Sequence, residues 1–252
     1  LDGEFGLYPN HARILQHLRQ RGFGILPDIL WRKPTNAPNK FMGSGVLPAG
    51  AYVTLEHEYI LVARKGKRRR FLSETDKKKR RESAMFWEER NLWFSDLWTD
   101  LTGTGQSLSK GSTRRRSAAF PFELAYRLIN MFSVKGDTVL DPFLGTGTTM
   151  LAAMACERNS VGVELDDGLR TEIDAARGPI VEMANSYIAA RLQRHVDFLQ
   201  STKKKPKYSN AHYKFAVVSA QEREIVLRDL RALQQIEEDV FELSYLKRRQ
   251  KL

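Results

Sequence analysis

Cysteine is almost missing from this chain: Cys156 is the only one in 252 residues. That excludes an intrachain disulfide framework and a cysteine-rich zinc site, and it gives no pointer to export. No apolar run is long enough to cross a bilayer, and no internal repeat is visible. The nine prolines include no adjacent pair, an absence that gains meaning below. The chain opens Leu1-Asp2-Gly3, without Met and without the basic and apolar regions of a signal peptide, so position 1 need not be a native start. Acidic residues are in deficit, 30 against 41 Lys and Arg, which leaves a formal charge of +11. Such an excess favours a polyanionic partner, nucleic acid rather than membrane, although a basic chain can also simply be soluble. The length suffices for one large α/β domain with a sizeable core.

What is present centres on residues 138–166, TVLDPFLGTGTTMLAAMACERNSVGVELD. The apolar Thr138-Val139-Leu140 runs into a turn at Asp141-Pro142 and a Gly145-Thr146-Gly147 loop. Small and apolar residues from Met150 to Ala155 fit one helix, and residues 160–165 read as a second, buried strand. In such a strand, loop, helix, strand unit the loop sits at the carboxyl end of the first strand, where open α/β sheets bind ligands. Gly145 and Gly147 permit a sharp bend and close approach of a ligand to the backbone. Glu164 falls about 20 residues past the loop at the end of the second strand, where a carboxylate can accept both ribose hydroxyls. A nucleoside ligand is the natural reading. The glycine pattern alone is weak, because GTGTT is neither GxGxxG nor followed by GK[ST].

DPFLGTGTT followed by VGVELD resembles the S-adenosylmethionine-binding motif of DNA amino-methyltransferases, which methylate N4 of cytosine or N6 of adenine. FPFELAYRLINMFSVKGDTVLDPF resembles the helix that precedes this motif in the permuted, beta-class group, where the catalytic segment comes first. The resemblance spans roughly residues 5–166. It implies a Rossmann-like class I methyltransferase α/β fold with S-adenosyl-L-methionine as cofactor and double-stranded DNA as partner. It further implies a cytoplasmic enzyme of a bacterium or archaeon, with a homodimer or a cognate restriction endonuclease as possible company. By this resemblance Asp141, Pro142, Phe143, Gly145 and Gly147 shape the cofactor pocket. Thr146 and Thr148 donate at its carboxylate end, Glu164 holds the ribose, and Phe120 and Pro121 line the methionine end. The family's usual HP-x-x-x-P is replaced here by Ser117-Ala118-Ala119-Phe120-Pro121, so the polar His is gone and Ser117 is a candidate substitute.

The rest of the chain fits around that centre. A helix is expected from His11 to Arg21, ended by Gly22, with strands in residues 23–32 broken by Pro27 and a confident strand from Tyr59 to Ala63. Trp31-Arg32-Lys33-Pro34 resembles a W-x-K-x segment of the family. His57, flanked by Glu56 and Glu58, reads as a structural hydrogen-bonder, and the remaining histidines are not at ligand spacing, so no metal site is expected. Two basic clusters, ARKGKRRRF and TDKKKRRES, fall where the family places its target-recognition region. Phosphate contacts are accordingly assigned to this region, residues 64–81, with Lys65, Lys67, Arg68, Arg69 and Arg70 named first, and to Arg114, Arg115 and Arg116 of a Gly/Ser/Thr-rich loop; Lys203, Lys204 and Lys205 either add DNA contacts or are simply solvated. Phe86, Trp87, Trp93, Phe94 and Trp98 can stack on unpaired bases or pack in a core, and core packing is the better reading. Residues 169–199 read as helix interrupted at Gly178-Pro179, and residues 222–246 as a further helix carrying Ile225, Leu230, Leu233, Ile236 and Val240. The expected divisions are 1–63 as catalytic-side core, 64–117 as DNA-contact region, 118–168 as cofactor core and 169–252 as a mostly helical extension.

With no adjacent prolines, the family's D/S/N-PP-Y/F/W catalytic motif is missing. In the permuted order it would precede Gly3, so a longer enzyme is the favoured explanation and the catalytic residues are unknown. Cytosine N4 is favoured over adenine N6 because GEFGLYPNHARILQ, SDLWTDLTG and FPFELAYRLI together resemble that subgroup. The alternatives are an adenine enzyme, an RNA methyltransferase, and a non-catalytic DNA- or cofactor-binding subunit completed by a partner.

Overall fold

The computed structural model describes residues 6–33, 42–102 and 120–248. They form two compact units: Leu1–Arg70 with Ser95–Ala119, and Phe71–Phe94 with Phe120–Leu252.

The first unit opens with α1 (Asn10–Gln20), which Gly22 ends at φ 79°, the left-handed position where a side chain would be strained. Pro27 splits the following apolar stretch into β1 (Phe23–Ile25) and β2 (Ile29–Arg32). After the short ladder β3 (Met42–Gly43) and β4 (Ala51–Tyr52) come β5 (His57–Ile60), β6 (Ala63–Lys65) and β7 (Leu97–Trp98). The strand expected over residues 59–63 is thus two short ones, parted at Leu61-Val62, because β5 and β6 serve different partners. β2 lies between β5, antiparallel, and β7, parallel, while β1 pairs with β6. Trp31 and Trp98 are buried, and the Trp31 indole Nε1 donates to the Leu101 carbonyl at 2.9 Å, which satisfies the one polar atom of that side chain.

The second unit carries α2 (Glu74–Glu82), α3 (Trp87–Trp93), α4 (Phe122–Phe132), β8 (Thr138–Asp141), α5 (Thr148–Ala155), β9 (Asn159–Gly162), α6 (Arg170–Arg177) and α7 (Ile180–Ser201). Two short strands, β10 (Tyr208–Ser209) and β11 (Ala216–Val217), and a hairpin of β12 (Arg228–Glu237) and β13 (Val240–Lys247) follow. The basic α2 is helical for local reasons. Ser73 Oγ caps it by accepting from the Asp76 amide at 3.0 Å, and acidic residues in its first turn and basic ones in its last suit the helix dipole. In α5, Ala152, Ala153, Met154 and Ala155 are all buried. Their small side chains let α4 approach with Tyr126 and Ile129, so the core sits on one face of the β8–β9 pair. Phe86, Trp93 and Trp98 are buried, as the core-packing reading expects, whereas Phe94 is exposed and Trp87 only half-buried, because both lie on the outer side of α3 and its end.

Two expectations fail here. Residues 222–246 are not a helix but chiefly the β12–β13 hairpin, so the C-terminal extension is not mostly helical. An irregularity in register between Leu230 and Ala232 interrupts the period of two, leaving inward Leu230 and Leu233 three residues apart, a spacing that imitates a helix. The Asn185 side chain, on α7, pins the hairpin by donating to the Leu230 carbonyl and accepting from its amide, and the Tyr245 hydroxyl donates to the Met154 carbonyl. The strand after α5 is also not buried: Val161 and Val163 are about half exposed and Leu165 almost fully. Among the described residues β9 pairs only with β8, so it is an edge strand.

Buried charges tie the helices together. His195 of α7 is fully buried, with Nδ1 at 2.7 Å from Glu88 and Nε2 at 3.0 Å from the Ala216 carbonyl, and Glu222 lies close by. Both ring nitrogens face oxygen acceptors, the arrangement of an imidazolium rather than of a metal ligand. Burial alone would lower its pKa, but the hydrogen bond and charge of Glu88 outweigh it and hold it above the ordinary 6.5. Because the folded-state value is raised, the stabilisation is complete below about pH 6.5 and is lost as pH rises through the folded value. His195→Gln should therefore cost about 1.5–3 kcal/mol at acid pH and progressively less at basic pH. Thermal melts of both proteins from pH 5.5 to 9 measure this; a cost independent of pH would show that the ring is neutral.

Candidate cofactor site

The loop between β8 and α5 is shaped by three local devices. Asp141 Oδ1 accepts from the Phe143 amide at 3.0 Å and starts the turn at Pro142. Gly145 and Gly147 have φ of 56° and 87°, and Gly147 is the residue at which α5 begins. Leu144 folds back over β9: its amide donates to the Val163 carbonyl at 2.9 Å, and a Cβ on Gly162 would come within 2.7 Å of its side chain. A side chain at Gly162 would therefore displace Leu144 from its seat on the strand.

Glu164 joins the end of β9 to this loop. Its Oε2 accepts from the Gly145 amide at 2.8 Å, and its Oε1 accepts from the amides of Leu165 at 3.0 Å and Asp166 at 2.9 Å. The carboxylate, 19 residues from Gly145, is therefore oriented by main-chain donors on both sides. Such a group can exchange a main-chain donor for ligand hydroxyls. The amino end of α5, with Thr148 in its first turn, turns unsatisfied N–H groups toward the same loop and suits a ligand carboxylate.

The predicted site residues fall into three sets. Asp141, Pro142, Phe143, Gly145, Thr146, Gly147, Thr148 and Glu164 are contiguous in space along this loop, with the Phe143 ring 87% exposed. Pro121 caps α4, and Phe120 packs on the apolar cluster that also holds Val139 of β8 and Met150 of α5. Lys65, Lys67, Arg68, Arg69 and Arg70 form an exposed run beginning at the end of β6, in the other unit. Arg114, Arg115 and Arg116, with Ser117, lie outside the described residues.

Beside β9 a cleft of about 650 Å³ is lined by Glu164, Asp166, Gly162, Leu144 and Met150 and, from the hairpin, by Phe241. Phe241 carries no sequence signal, because only the hairpin brings it there. Asp166 was within reach, since it follows Glu164 by two residues, but its Oδ1 is already engaged by the Gly168 amide at 3.1 Å.

A carboxylate at the end of the second strand and a glycine loop opening a helix mark the nucleoside-binding unit of a Rossmann-like α/β fold, and similarity to known proteins makes it a class I methyltransferase fold. Residues 5–174 match the family N6_N4_Mtase, DNA methylase, and the chain belongs to it. The Type II methyltransferase M.MthZI of Methanothermobacter thermautotrophicus is 51% identical over 242 residues, 96% of this chain and 68% of that protein. M.MjaI of Methanocaldococcus jannaschii is 51% identical over 178 residues, 71% of this chain and 57% of that protein. Among solved structures, TTHA0409 of Thermus thermophilus, complexed with S-adenosyl-L-methionine, has a TM-score of 0.56 at 34% identity. That match covers 71% of this chain and 63% of the solved one, so the chain spans roughly two thirds or less of these relatives. No helix among the described residues is long and apolar enough to cross a membrane.

Proposed function

We propose that this chain is a DNA amino-methyltransferase that uses S-adenosyl-L-methionine and acts on the exocyclic amine of a base in duplex DNA. The observation that carries the reading is Glu164, held by the Gly145 amide at the mouth of the glycine loop. Glu164 accepts the ribose hydroxyls, and the amino end of α5 with Thr146 and Thr148 receives the cofactor's carboxylate. Asp141, Pro142, Phe143, Gly145 and Gly147 shape the loop, and Phe120 and Pro121 stand at the methionine end. The cofactor supplies an electrophilic methyl group on a sulfonium. The amine nitrogen of the base would accept that methyl group and release a proton, and the residues above would serve to hold the two partners in line. The cationic runs 65–70 and 114–116 neutralise phosphates.

N4 of cytosine is the preferred target over N6 of adenine, on the strength of the segments GEFGLYPNHARILQ, SDLWTDLTG and FPFELAYRLI. The test is methyl transfer from labelled S-adenosylmethionine to mixed-sequence duplex DNA, with digestion to nucleosides. N4-methylcytosine supports the full reading, whereas N6-methyladenine overturns the choice of base. If the cofactor binds but no product forms, this chain does not catalyse by itself; if the cofactor does not bind, the site assignment is wrong.

A further inference from the structure

The fold gathers two basic runs that lie far apart in sequence. Lys77, Lys78, Lys79, Arg80 and Arg81 are consecutive and all exposed on α2, and Lys203, Lys204 and Lys205 are exposed just beyond α7. Both flank Trp87: Lys204 Nζ stands 4.0 Å from the centroid of its ring, and Trp87 shares a cleft with the α2 cations. That cleft, of about 720 Å³, has Lys77, Arg80 and Arg81 on one wall, at the i, i+3, i+4 spacing of a single helix face. Arg90 contributes from α3, and Met85 and Met131 supply an apolar lining.

The cations are not equally engaged. Lys77 pairs with Glu74 at 2.7 Å and Arg81 with Glu224 at 2.9 Å, both at the surface. Arg80 and Arg90 stack instead on rings, 4.9 Å from the centroid of Phe71 and 4.1 Å from that of Phe94. A guanidinium seated over a ring has less freedom to lose when its N–H groups meet a phosphate. Cations set around a partly exposed indole match a sugar–phosphate backbone with an adjacent base or sugar face.

We propose that this cleft is a second DNA-docking surface of the protein, holding backbone phosphates of the duplex through Lys77, Arg80 and Arg90, with Lys204 beside Trp87 at its edge. The inference rests on the DNA-methyltransferase reading; the basic residues of α2 already fall in the expected DNA-contact region, and what is added is the cleft that groups them with Arg90 and Trp87, beside Lys204.

The test compares the full chain with the double variant Arg80→Gln/Arg90→Gln, whose native side chains stack on rings rather than pairing with carboxylates among the described residues. Affinity for a fluorescent duplex of unrelated sequence is measured over a range of salt, alongside melting temperature and S-adenosylmethionine binding. Loss of two phosphate contacts should reduce the slope of log K against log salt by about 1.8 and weaken every duplex alike. Melting and cofactor binding should stay unchanged. An unaltered slope with cofactor binding intact overturns the cleft alone, whereas failure of the parent chain to bind the cofactor overturns the underlying reading. Competition by polyglutamate as effective as that by unlabelled DNA assigns the surface to an acidic protein and overturns the proposal, as does tighter binding of duplex RNA than of DNA.

Discussion

Glu164→Ala should weaken S-adenosylmethionine binding about 100-fold, as read by titration calorimetry. Two hydroxyls donating to one carboxylate are worth about 1.5–3 kcal/mol each, and loss of roughly 3 kcal/mol in total corresponds to that factor. The same carboxylate accepts from the amides of Gly145, Leu165 and Asp166. The substitution therefore also loosens the loop, and the two effects must be told apart. Glu164→Gln does this, because its amide oxygen can still take one main-chain donor while the charge is gone. It should keep most of the thermal stability and still lose at least tenfold in cofactor affinity. Binding within twofold of the parent chain for both variants would remove Glu164 from the cofactor site.

The largest effect on stability is expected at Arg191. It is buried on α7, and its Nε and Nη2 reach the two carboxylate oxygens of Glu89 at 2.5 and 2.7 Å, while Nη1 reaches the Tyr126 hydroxyl at 2.8 Å. Burial pulls its pKa down, but the charge of Glu89 outweighs that and raises it, so the guanidinium stays ionised. One contact set thus clamps α7 to α3 and α4. Arg191→Met strands the carboxylate of Glu89 in the core, which costs about 3–5 kcal/mol. For a domain of this size that is a fall of roughly 10 °C or more in Tm. The double variant Glu89→Leu/Arg191→Met removes both charges and should recover more than half of the loss, because an apolar pair of similar volume needs no desolvation. If the double variant melts no higher than Arg191→Met, the cost lies in packing and not in the unpaired charge.

Both effects differ in how far they could be foreseen. The placing of Glu164 beside the glycine loop was legible because it depends on near neighbours in the chain: a strand, a glycine loop, one helix and a second strand bring it to Gly145 within 19 residues. The breaks at Gly22 and Pro27, and the interruption of the long helical stretch at Gly178-Pro179, were legible for the same reason, since backbone restrictions act where they stand. Arg191 and Glu89 were not, because 102 residues separate them and each resembles an ordinary surface charge on a helix. The same holds for His195, whose partners Glu88 and Ala216 come from α3 and β11.

The hairpin misleads for a different reason. Its inward residues are offset by an irregular register, so periodicity alone favours a helix until α7 and α5 supply Asn185 and the Met154 carbonyl as anchors. By itself, then, the sequence determined the loop chemistry of residues 138–166, the basic charge and the family resemblance, all of which are properties of short stretches. Only the tertiary structure decided which charges are buried, that the last long segment is a β-hairpin, and that Lys204 comes to Trp87, which shares a cleft with Lys77, Arg80 and Arg81. Those outcomes depend on partners far away in the chain, and neither burial nor pairing exists until the helices have packed.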